Sequence, residues 1–590
     1  PVQNIDDVIR FIPGIEVQQR GPQGSQSDIV IRGGTFQQVL VVLDGVRIND
    51  PLTGHFNAYI PIHPEEIERI EILKGSAAAI HGPDAVGGVV NIITKTFADK
   101  IQSNKIIAGA SFGSYQMLNG NLYGTWKKGN TTISVGITSN NAKGPELRGA
   151  TGYFHNKNGV VSLHHQINKK WKFSVRGAMD ERDFNAQNFY TTFLSDTAKE
   201  KVKSNWIQAQ LVGVKGRTTK TLQVVYKNLS DQYQYRPGAS ANKNQTDQLF
   251  IQAYRTVKLN KGVVLTWGEQ AIYKKIVSND RGNHDHVHAG FYGILSNKLG
   301  KRIHMNETFR VDWDQNYGWI FVPQFNLSWA PYIKNVSNPS LLNFRAGIGR
   351  GIRDADFTER YNNYNKSLVT GGSIGNPDLI AERSWNYEVG VDVRPAKNIK
   401  ISGTAFTRNQ SDLIDWVPTK YELMPRKVNL VTTGNYALAS NLASVITKGV
   451  ELDIEMGFKL GDQSNIKFMT GLLWLKSKAN DEKPLSFYLS SHARFLWNGN
   501  ALLTLGKTSL SVGFVHKTRQ AQSASAINAS VTPSYFICNG RIYQTLNRSG
   551  SKVFIQADNT FNVKYSDLLG SVMPGRWLSM GVQWVFEKNR

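Results

Sequence analysis

The chain has 590 residues, of which 40% are hydrophobic, 11% aromatic and only 19% charged, with 53 glycines; this balance favours strands over helices. It contains no apolar run of about 18 residues or more, which excludes membrane-spanning helices, and its single cysteine, Cys538, excludes an intramolecular disulfide and a CxxC centre. The net charge of +24 comes from Lys and Arg that are scattered singly, which favours an anionic membrane leaflet over nucleic acid as the partner.

The first part of the chain is predicted to be a compact α+β domain over residues 1–98. Apolar residues from Ile5 to Ile12 have helical spacing behind Asn4, a candidate N-cap. Pro64 and Ser76 are placed to begin further short helices. Runs of β-branched and apolar residues predict strands at 15–19, 28–32, 39–43, 67–73 and 89–94.

From about Lys105 the pattern changes to alternating segments of about ten to sixteen residues. We count about 22 of them, the number typical of membrane barrels with a filled lumen. A soluble β-sandwich pair or a propeller would not explain the apolar face of the last segment, which contains Leu578, Met580, Val582, Trp584 and Phe586. Residues 99–590 are therefore predicted to form a 22-stranded antiparallel transmembrane β-barrel.

The connections between these segments are predicted to alternate in length. Short turns are expected at 169–170, 215–216, 260–261 and 395–396. Longer connections are expected at 183–201, 231–244, 352–381 and 415–445, and these would face the cell exterior, where ligand selection belongs.

Several motifs, in order along nearly the whole chain, resemble those of TonB-dependent outer-membrane receptors. The N-terminal ones are IRG at 31–33, LDGV at 43–46, IERIEILKG at 67–75 and GGVVNIIT at 87–94; the later ones are NPDL at 376–379, ERSWNYEVG at 382–390 and KGVELD at 448–453. The resemblance implies that residues 1–98 are a plug domain inside the lumen of the barrel and that the protein lies in the bacterial outer membrane. Because the sequence has no HExxH or P-loop motif and no spaced Cys and His set, it is not expected to be an enzyme.

Two basic residues of the plug would be costly to bury unless barrel carboxylates pair with them. They are Arg32 and Lys74, and the candidate partners are Glu382, Glu388 and Glu451. By resemblance, such a cluster locks the plug to the barrel. Lys74 occupies a position often held by Arg, and without the bidentate fork of Arg its pairing is expected to be looser.

Two plug loops match the positions where the family binds its ligands. One spans residues 49–59 and the other spans 80–85. Both contain turn-forming residues with a His and an Asp, and the first adds aromatic rings, which suits a semi-rigid polar surface. The alternative is that they merely pack against the barrel. The candidate substrate-binding residues are Asp50, Thr53, His55, Phe56, Asn57, Tyr59, His81 and Asp84.

A sharper feature of the barrel is the sequence HDHVH at 284–288. Period two places His284, His286 and His288 on one side of a strand, and the apolar character of the other side directs them to the lumen. Imidazoles can bind copper, zinc, nickel, haem iron or a cobalt corrinoid. Because alternate residues of a strand lie almost 7 Å apart, the three would need a further partner to hold one ion, and a solvated polar wall is the alternative.

The chain length, the DPLTGHFN loop at 50–57 and the segment SDLIDW at 411–416 most resemble the compact cobalamin-receptor branch found in Bacteroidota. The resemblance implies TonB-dependent active import of a large scarce nutrient, such as a metal-containing cofactor. The alternatives are uptake of a ferric siderophore or haem, and a non-transporting barrel that scaffolds a surface lipoprotein or secretion complex.

The same resemblance implies partners and limits on cofactors. The expected partners are the TonB–ExbB–ExbD energy-coupling complex, which would act on a TonB box preceding Pro1, and outer-membrane lipid with lipopolysaccharide. A surface-exposed lipoprotein is a further candidate partner. No cofactor is expected to be required beyond a bound metal-chelate ligand, and calcium is left open because no dense acidic loop is found.

Overall fold

The computed structural model describes residues 5–22, 24–332, 341–479, 491–524, 528–547 and 549–588. Within these ranges, 22 antiparallel strands form a closed barrel, as predicted. The first strand, Asn104–Gly113, pairs with the last, Trp577–Lys588, from Asn104 opposite Lys588 to Gly113 opposite Ser579. No helix in the described part of the chain has the length and apolar content to cross a membrane.

The barrel strands follow one another around the wall in chain order. The twelfth is interrupted and has two segments, Gly318–Phe321 and Gln324–Tyr332, both paired with the eleventh. The strands are Asn104–Gly113, Met117–Lys128, Thr131–Ala142, Phe154–Gln166, Trp171–Asn185, Lys199–Lys215, Thr218–Gln234, Asn242–Lys258, Val263–Ser278, Gly282–Leu299, Ile303–Asp314, the two segments just named, Leu342–Arg353, Glu382–Ala396, Ile399–Thr419, Leu430–Gly461, Ser464–Ala479, Phe495–Leu505, Thr508–Thr518, Ser534–Thr545, Lys552–Asp558 and Trp577–Lys588.

The N-terminal domain lies inside this barrel and confirms the predicted strands to within two residues. A hairpin of Ile15–Arg20 and Gln26–Ile31 precedes a four-stranded sheet. The order across that sheet is Val46–Arg47, Val39–Leu43, Gly88–Thr94 and Ile67–Lys74. The helices are Ile5–Ile9 and Ala78–His81, with 3₁₀ turns at Phe36–Gln38, Gly54–Phe56 and Pro64–Glu66.

The core joins the two domains, because plug and barrel side chains share the same hydrophobic clusters. Ile31, Val41 and Val90 of the plug pack in one cluster with Trp206 and Phe250 of the barrel wall. All five are almost inaccessible to solvent. Burial of this interface fixes the plug in one position inside the lumen.

Outside the barrel strands, the described ranges contain short elements in the connecting loops. One of them is the helix Phe357–Tyr361, which begins with a capping box formed by Asp356 and Glu359. The others are the 3₁₀ turns Ser114–Gln116 and Tyr421–Leu423 and the strands Glu146–Leu147, Ala150–Thr151, Val369–Ile374, Gln522–Ala524, Ala529–Val531, Ser566–Leu568 and Ser571–Val572.

The long connection expected at 415–445 is present, but its predicted bounds are wrong. Strands Ile399–Thr419 and Leu430–Gly461 continue their pairing as far as Thr419 opposite Tyr436, so the connection is only residues 420–429. Backbone pairing and a small cluster around Val369, Leu430 and Leu438 stabilise the extension of the two strands. The turn expected at 395–396 lies instead at 397–398.

The outer surface of the barrel carries the predicted apolar band. In the last strand, Leu578 is 50% exposed and Phe586 is 62% exposed, whereas Ser579 and Gln583 between them are buried. Large apolar side chains that face outward in this way require a hydrocarbon environment. The alternating pattern in the sequence therefore correctly predicts which side chains of the last strand face outward.

A lipid-facing charge provides a test of this band. Ile251 lies at the centre of an outward-facing apolar stretch that is flanked on its own strand by Asp247 and Arg255. We expect Ile251→Lys to lower the free energy of unfolding by about 2–4 kcal/mol, since a charge at the midplane must leave water. Urea titration in phospholipid vesicles measures this loss. Gln245→Lys, which also faces outward but lies beyond Asp247, should change stability by less than about 1 kcal/mol.

Candidate functional site

The plug is attached to the barrel wall by a buried ion cluster around Arg32. This residue follows the second hairpin strand with φ of 52°, a left-handed conformation that turns its side chain toward the wall. Its guanidinium donates to Glu388 at 2.7 Å and to Glu451 at 2.8 Å. It also lies 4.5 Å from the ring centroid of Phe406. Burial alone would lower the pKa of Arg32, but Glu451 and Glu388 raise it above its usual value.

Lys74, the second predicted base, lies in the same cluster. Its ammonium is 2.9 Å from Asp453 and 3.7 Å from Glu451. Asp453 was not among the predicted partners. It stands two residues beyond Glu451 on one strand, so the period of two in KGVELD could have identified it as a second inward carboxylate.

Glu382 does not have the partners that the sequence suggested. Its carboxylate accepts hydrogen bonds from Gln38 of the plug at 2.7 Å and from Arg353 of the barrel at 2.6 Å. It also accepts from the backbone N–H of Ile414. Glu382 stands at the start of its strand, six residues from Glu388, and this distance along the strand separates it from Arg32. Glu382 still links plug and barrel, because it accepts from the neutral amide of Gln38 in the plug and from Arg353 in the barrel.

The plug loop at 49–59 is held firmly against the wall. Phe56 and Tyr59 pack in a cluster with Phe154, Phe184 and Trp577, and both are buried. These two rings therefore pack against the barrel and support the loop, which was the alternative to ligand binding.

The polar residues of this loop have partners of their own. Asp50 is 2.9 Å from the ammonium of Lys227, and its backbone N–H donates to Asn57. Thr53 accepts from the backbone N–H of His55 at 3.4 Å. The imidazole of His55 is 2.8 Å from Asp28 and stacks on Phe36. Burial lowers the pKa of His55, although Asp28 opposes that shift.

The second predicted loop lies close to the barrel as well. His81 ends the short helix Ala78–His81, and burial together with nearby Arg310 lowers its pKa to about 4. His81 is therefore neutral at physiological pH. Asp84, at φ of 76°, pairs with Arg47 and donates its backbone N–H to the carbonyl of Ile352 at 2.9 Å.

The three histidines lie on the lumenal side of their strand, as the pattern predicts, but they do not act together. His286 and His288 share the carboxylate of Asp314, at 2.9 and 3.1 Å. His284 instead stacks on Tyr361, with ring centroids 3.5 Å apart, and its Nε2 is 2.9 Å from the carbonyl of Arg281.

A cleft open to solvent brings together residues from both predicted regions. It encloses about 580 Å³ of space between atoms, its open part included. Asp50, Asn57 and Asp84 of the plug line it opposite His286. The loop after strand Leu342–Arg353 completes it, and this loop belongs to the connection at 352–381 that the sequence predicts to face the cell exterior. The remaining residues around the cleft include Asp285, Asp354, Asp356, Lys274, Arg353 and Arg360.

A closed 22-strand barrel with an apolar exterior and an inserted, ion-paired domain defines a plugged outer-membrane receptor. Residues 1–89 match the family described as "TonB-dependent Receptor Plug Domain", and residues 99–570 match "TonB dependent receptor-like, beta-barrel". The chain belongs to the TonB-dependent receptor family. Members of this family are receptors and transporters and not enzymes, which agrees with the prediction.

Three individual relatives share between 16% and 25% sequence identity with this chain. The vitamin B12 transporter BtuB of Photobacterium profundum is 25% identical over an alignment of 447 residues that covers 71% of this chain and 64% of that protein. The chain thus spans just under two thirds of that relative. The siderophore receptor PirA of Acinetobacter baumannii is 17% identical with a TM-score of 0.79, covering 99% of this chain and 96% of its own. A ferric enterobactin receptor of Pseudomonas aeruginosa is 16% identical with a TM-score of 0.77, covering 99% and 97%.

Proposed function

We propose that this receptor actively imports a cobalamin-type corrinoid across the outer membrane with energy from the TonB–ExbB–ExbD complex. The observation that carries the import part is the filled lumen. Plug and barrel share a hydrophobic core, and Arg32 and Lys74 are paired with three wall carboxylates. A large solute can pass only after the plug moves, and moving it breaks buried ion pairs. Work of this kind requires an external energy source.

The choice of a corrinoid rests on sequence likeness. The 25% identity with a vitamin B12 transporter extends over 447 residues, whereas the siderophore receptors share the fold at 16–17% identity. The cleft suits a ligand of this kind because it offers amide and carboxylate groups, from Asn57, Asp50 and Asp84, to polar substituents. The predicted plug-loop residues that line the cleft are the proposed contacts.

Binding and uptake assays separate the two parts of this proposal. We expect cyanocobalamin to bind the purified receptor saturably, and ferric enterobactin and haem not to compete. In cells that lack their own corrinoid receptor, the full-length protein should restore uptake of labelled cobalamin. Disruption of the TonB gene should abolish uptake and leave binding intact, since only transport consumes energy. Uptake that persists without TonB would contradict the proposed energy coupling. Binding of ferric enterobactin and not of cyanocobalamin would contradict the proposal that the solute is a corrinoid.

A further inference from the structure

Three side chains bring metal-ligating atoms together at the edge of the cleft. They are His286 on strand Gly282–Leu299, Asp314 at the end of strand Ile303–Asp314, and Asp354 in the loop that follows strand Leu342–Arg353. One ligand atom from each lies within 4.8 Å of the other two. The side chains are at most 7% exposed, so their positions are fixed by packing.

The spacing of these atoms is close to that of a coordination site. Zn²⁺ holds His nitrogen and carboxylate oxygen at about 2.0–2.2 Å, which places tetrahedral ligands roughly 3.3–3.6 Å apart. His286 Nε2 is 3.6 Å from Asp354 Oδ2 and 2.9 Å from Asp314 Oδ1. The distance from His286 to Asp354 already fits this range, and the distance from His286 to Asp314 would have to grow by about half an ångström for their hydrogen bond to be replaced by a shared ion.

Neighbouring groups orient both carboxylates in the way that metal sites require. The second oxygen of Asp314 is 3.1 Å from His288 Nδ1. Arg360 donates to Oδ1 of Asp354 at 2.6 Å, while Asn316 donates to its Oδ2 at 2.7 Å. Such outer partners hold ligands in position before the ion arrives and reduce the cost of binding.

The cluster is also accessible to a cation. His286 and Asp354 line the open cleft, together with the carboxylates of Asp50, Asp84, Asp285 and Asp356. The basic residues of the cleft are Lys274, Arg353 and Arg360. Arg353 is neutralised by Glu359 and Glu382, which lie 2.8 and 2.6 Å from it. Asp50 and Asp84 are in turn paired with Lys227 and Arg47, so the carboxylates of the cluster itself and the exposed Asp285 are the groups that attract a cation here.

We propose that His286, Asp314 and Asp354 bind one divalent transition-metal ion, of the class of Zn²⁺, Ni²⁺ or Cu²⁺, which accept imidazole and carboxylate together. The remaining coordination positions face the cleft. The ion joins two barrel strands to the loop that begins at Asp354, and that loop contacts the plug. Phe357 and Thr358 donate their backbone N–H groups to Pro51 and Leu52 of the plug, at 2.9 and 3.0 Å.

Metal binding to untagged, folded receptor tests this site independently of the transported solute. The probe is Zn²⁺, measured by isothermal titration and by elemental analysis after dialysis. We expect one ion per chain, and His286→Ala should weaken its affinity at least about tenfold. His284→Ala is the matched control, because His284 stands two residues away on the same lumenal face and lies outside the cluster; it should bind as the wild type does.

A second variant and a spectroscopic readout protect the test against misfolding. Asp354→Asn preserves the size of the side chain but leaves one acceptor oxygen in place of two, and it should also weaken Zn²⁺ binding. Folding of each variant is checked by the heat-dependent gel mobility of the barrel. With Cu²⁺ as the probe, paramagnetic resonance should show one coordinating nitrogen, which is lost in His286→Ala. Equal affinity of His286→Ala and His284→Ala, or no bound ion in the wild type, would overturn the proposal.

Discussion

Replacing Arg32 with Ala is expected to loosen the plug by about 3–5 kcal/mol, because the buried Glu451 and the half-buried Glu388 would both be left without their main partner. Arg32 is only 5% exposed, and its guanidinium makes three hydrogen bonds to the two carboxylates. Hydrogen exchange of the plug amides measures this loss as a fall in protection. A loss of this size corresponds to exchange rates that rise more than about a hundredfold.

Arg69→Ala provides the matched control for this prediction. Arg69 also belongs to the plug and also pairs with a carboxylate, Glu71, at 2.7 Å. Its side chain is 52% exposed and that of Glu71 is 41% exposed, so water screens the pair and its loss should cost less than about 1 kcal/mol. If Arg32→Ala lowers protection no more than Arg69→Ala does, the Arg32 cluster does not hold the plug.

Asp567→Asn is expected to have an effect of similar size, about 3–5 kcal/mol, at a second contact between plug and barrel. Asp567 is fully buried and lies in the connection before the last barrel strand. Its carboxylate accepts from Lys517 at 2.7 Å, from Tyr535 at 2.6 Å and from the backbone N–H of Gln19 in the plug hairpin at 2.8 Å. Exchange of the hairpin amides should therefore accelerate.

The contribution of Asp567 should also depend on pH. Burial alone would raise the pKa of Asp567, but Lys517, Arg519 and Arg10 lower it below its usual value. A carboxyl whose pKa is lower in the folded state stabilises that state fully above its unfolded pKa, about 4, and loses this contribution as the pH falls further. The difference between wild type and Asp567→Asn should thus be constant near neutrality and shrink below about pH 4.

Asp99→Asn is the control, since Asp99 is 45% exposed beside Lys127 and should show only a small effect at any pH. Asp567→Asn with unchanged exchange at pH 7 would show that Lys517 is sufficiently paired by Glu16, which lies 3.0 Å away.

The sequence predicts those features of this protein that depend on local periodicity. Alternation gave the side of the wall for Leu578 and Phe586, and it placed His286 and His288 in the lumen. Turn and strand residues gave the order of the plug elements. Each of these properties is decided by a few consecutive residues, because a strand directs alternate side chains to opposite faces.

Partners across the lumen could not be predicted in the same way. Glu382, Glu388 and Glu451 are equally plausible from sequence, and only the position of each along its strand decides which one reaches Arg32. Asp314 and Asp354 approach His286 from a neighbouring strand and from a distant loop. Their meeting depends on the register of the whole barrel and the path of the loop, which no local pattern contains.

The ladder between the two ends of the barrel has a consequence for biogenesis. Asn104–Gly113 and Trp577–Lys588 are separated by most of the polypeptide, so the loop that their pairing closes is among the longest the chain can form. The entropic cost of closing such a loop makes this seam a late step of assembly. The N-terminal domain is synthesised first and must occupy its place before or during that step. Loss of the final strand would leave two unpaired strand edges and an N-terminal domain that the barrel does not enclose. Such a chain should aggregate instead of inserting into the membrane.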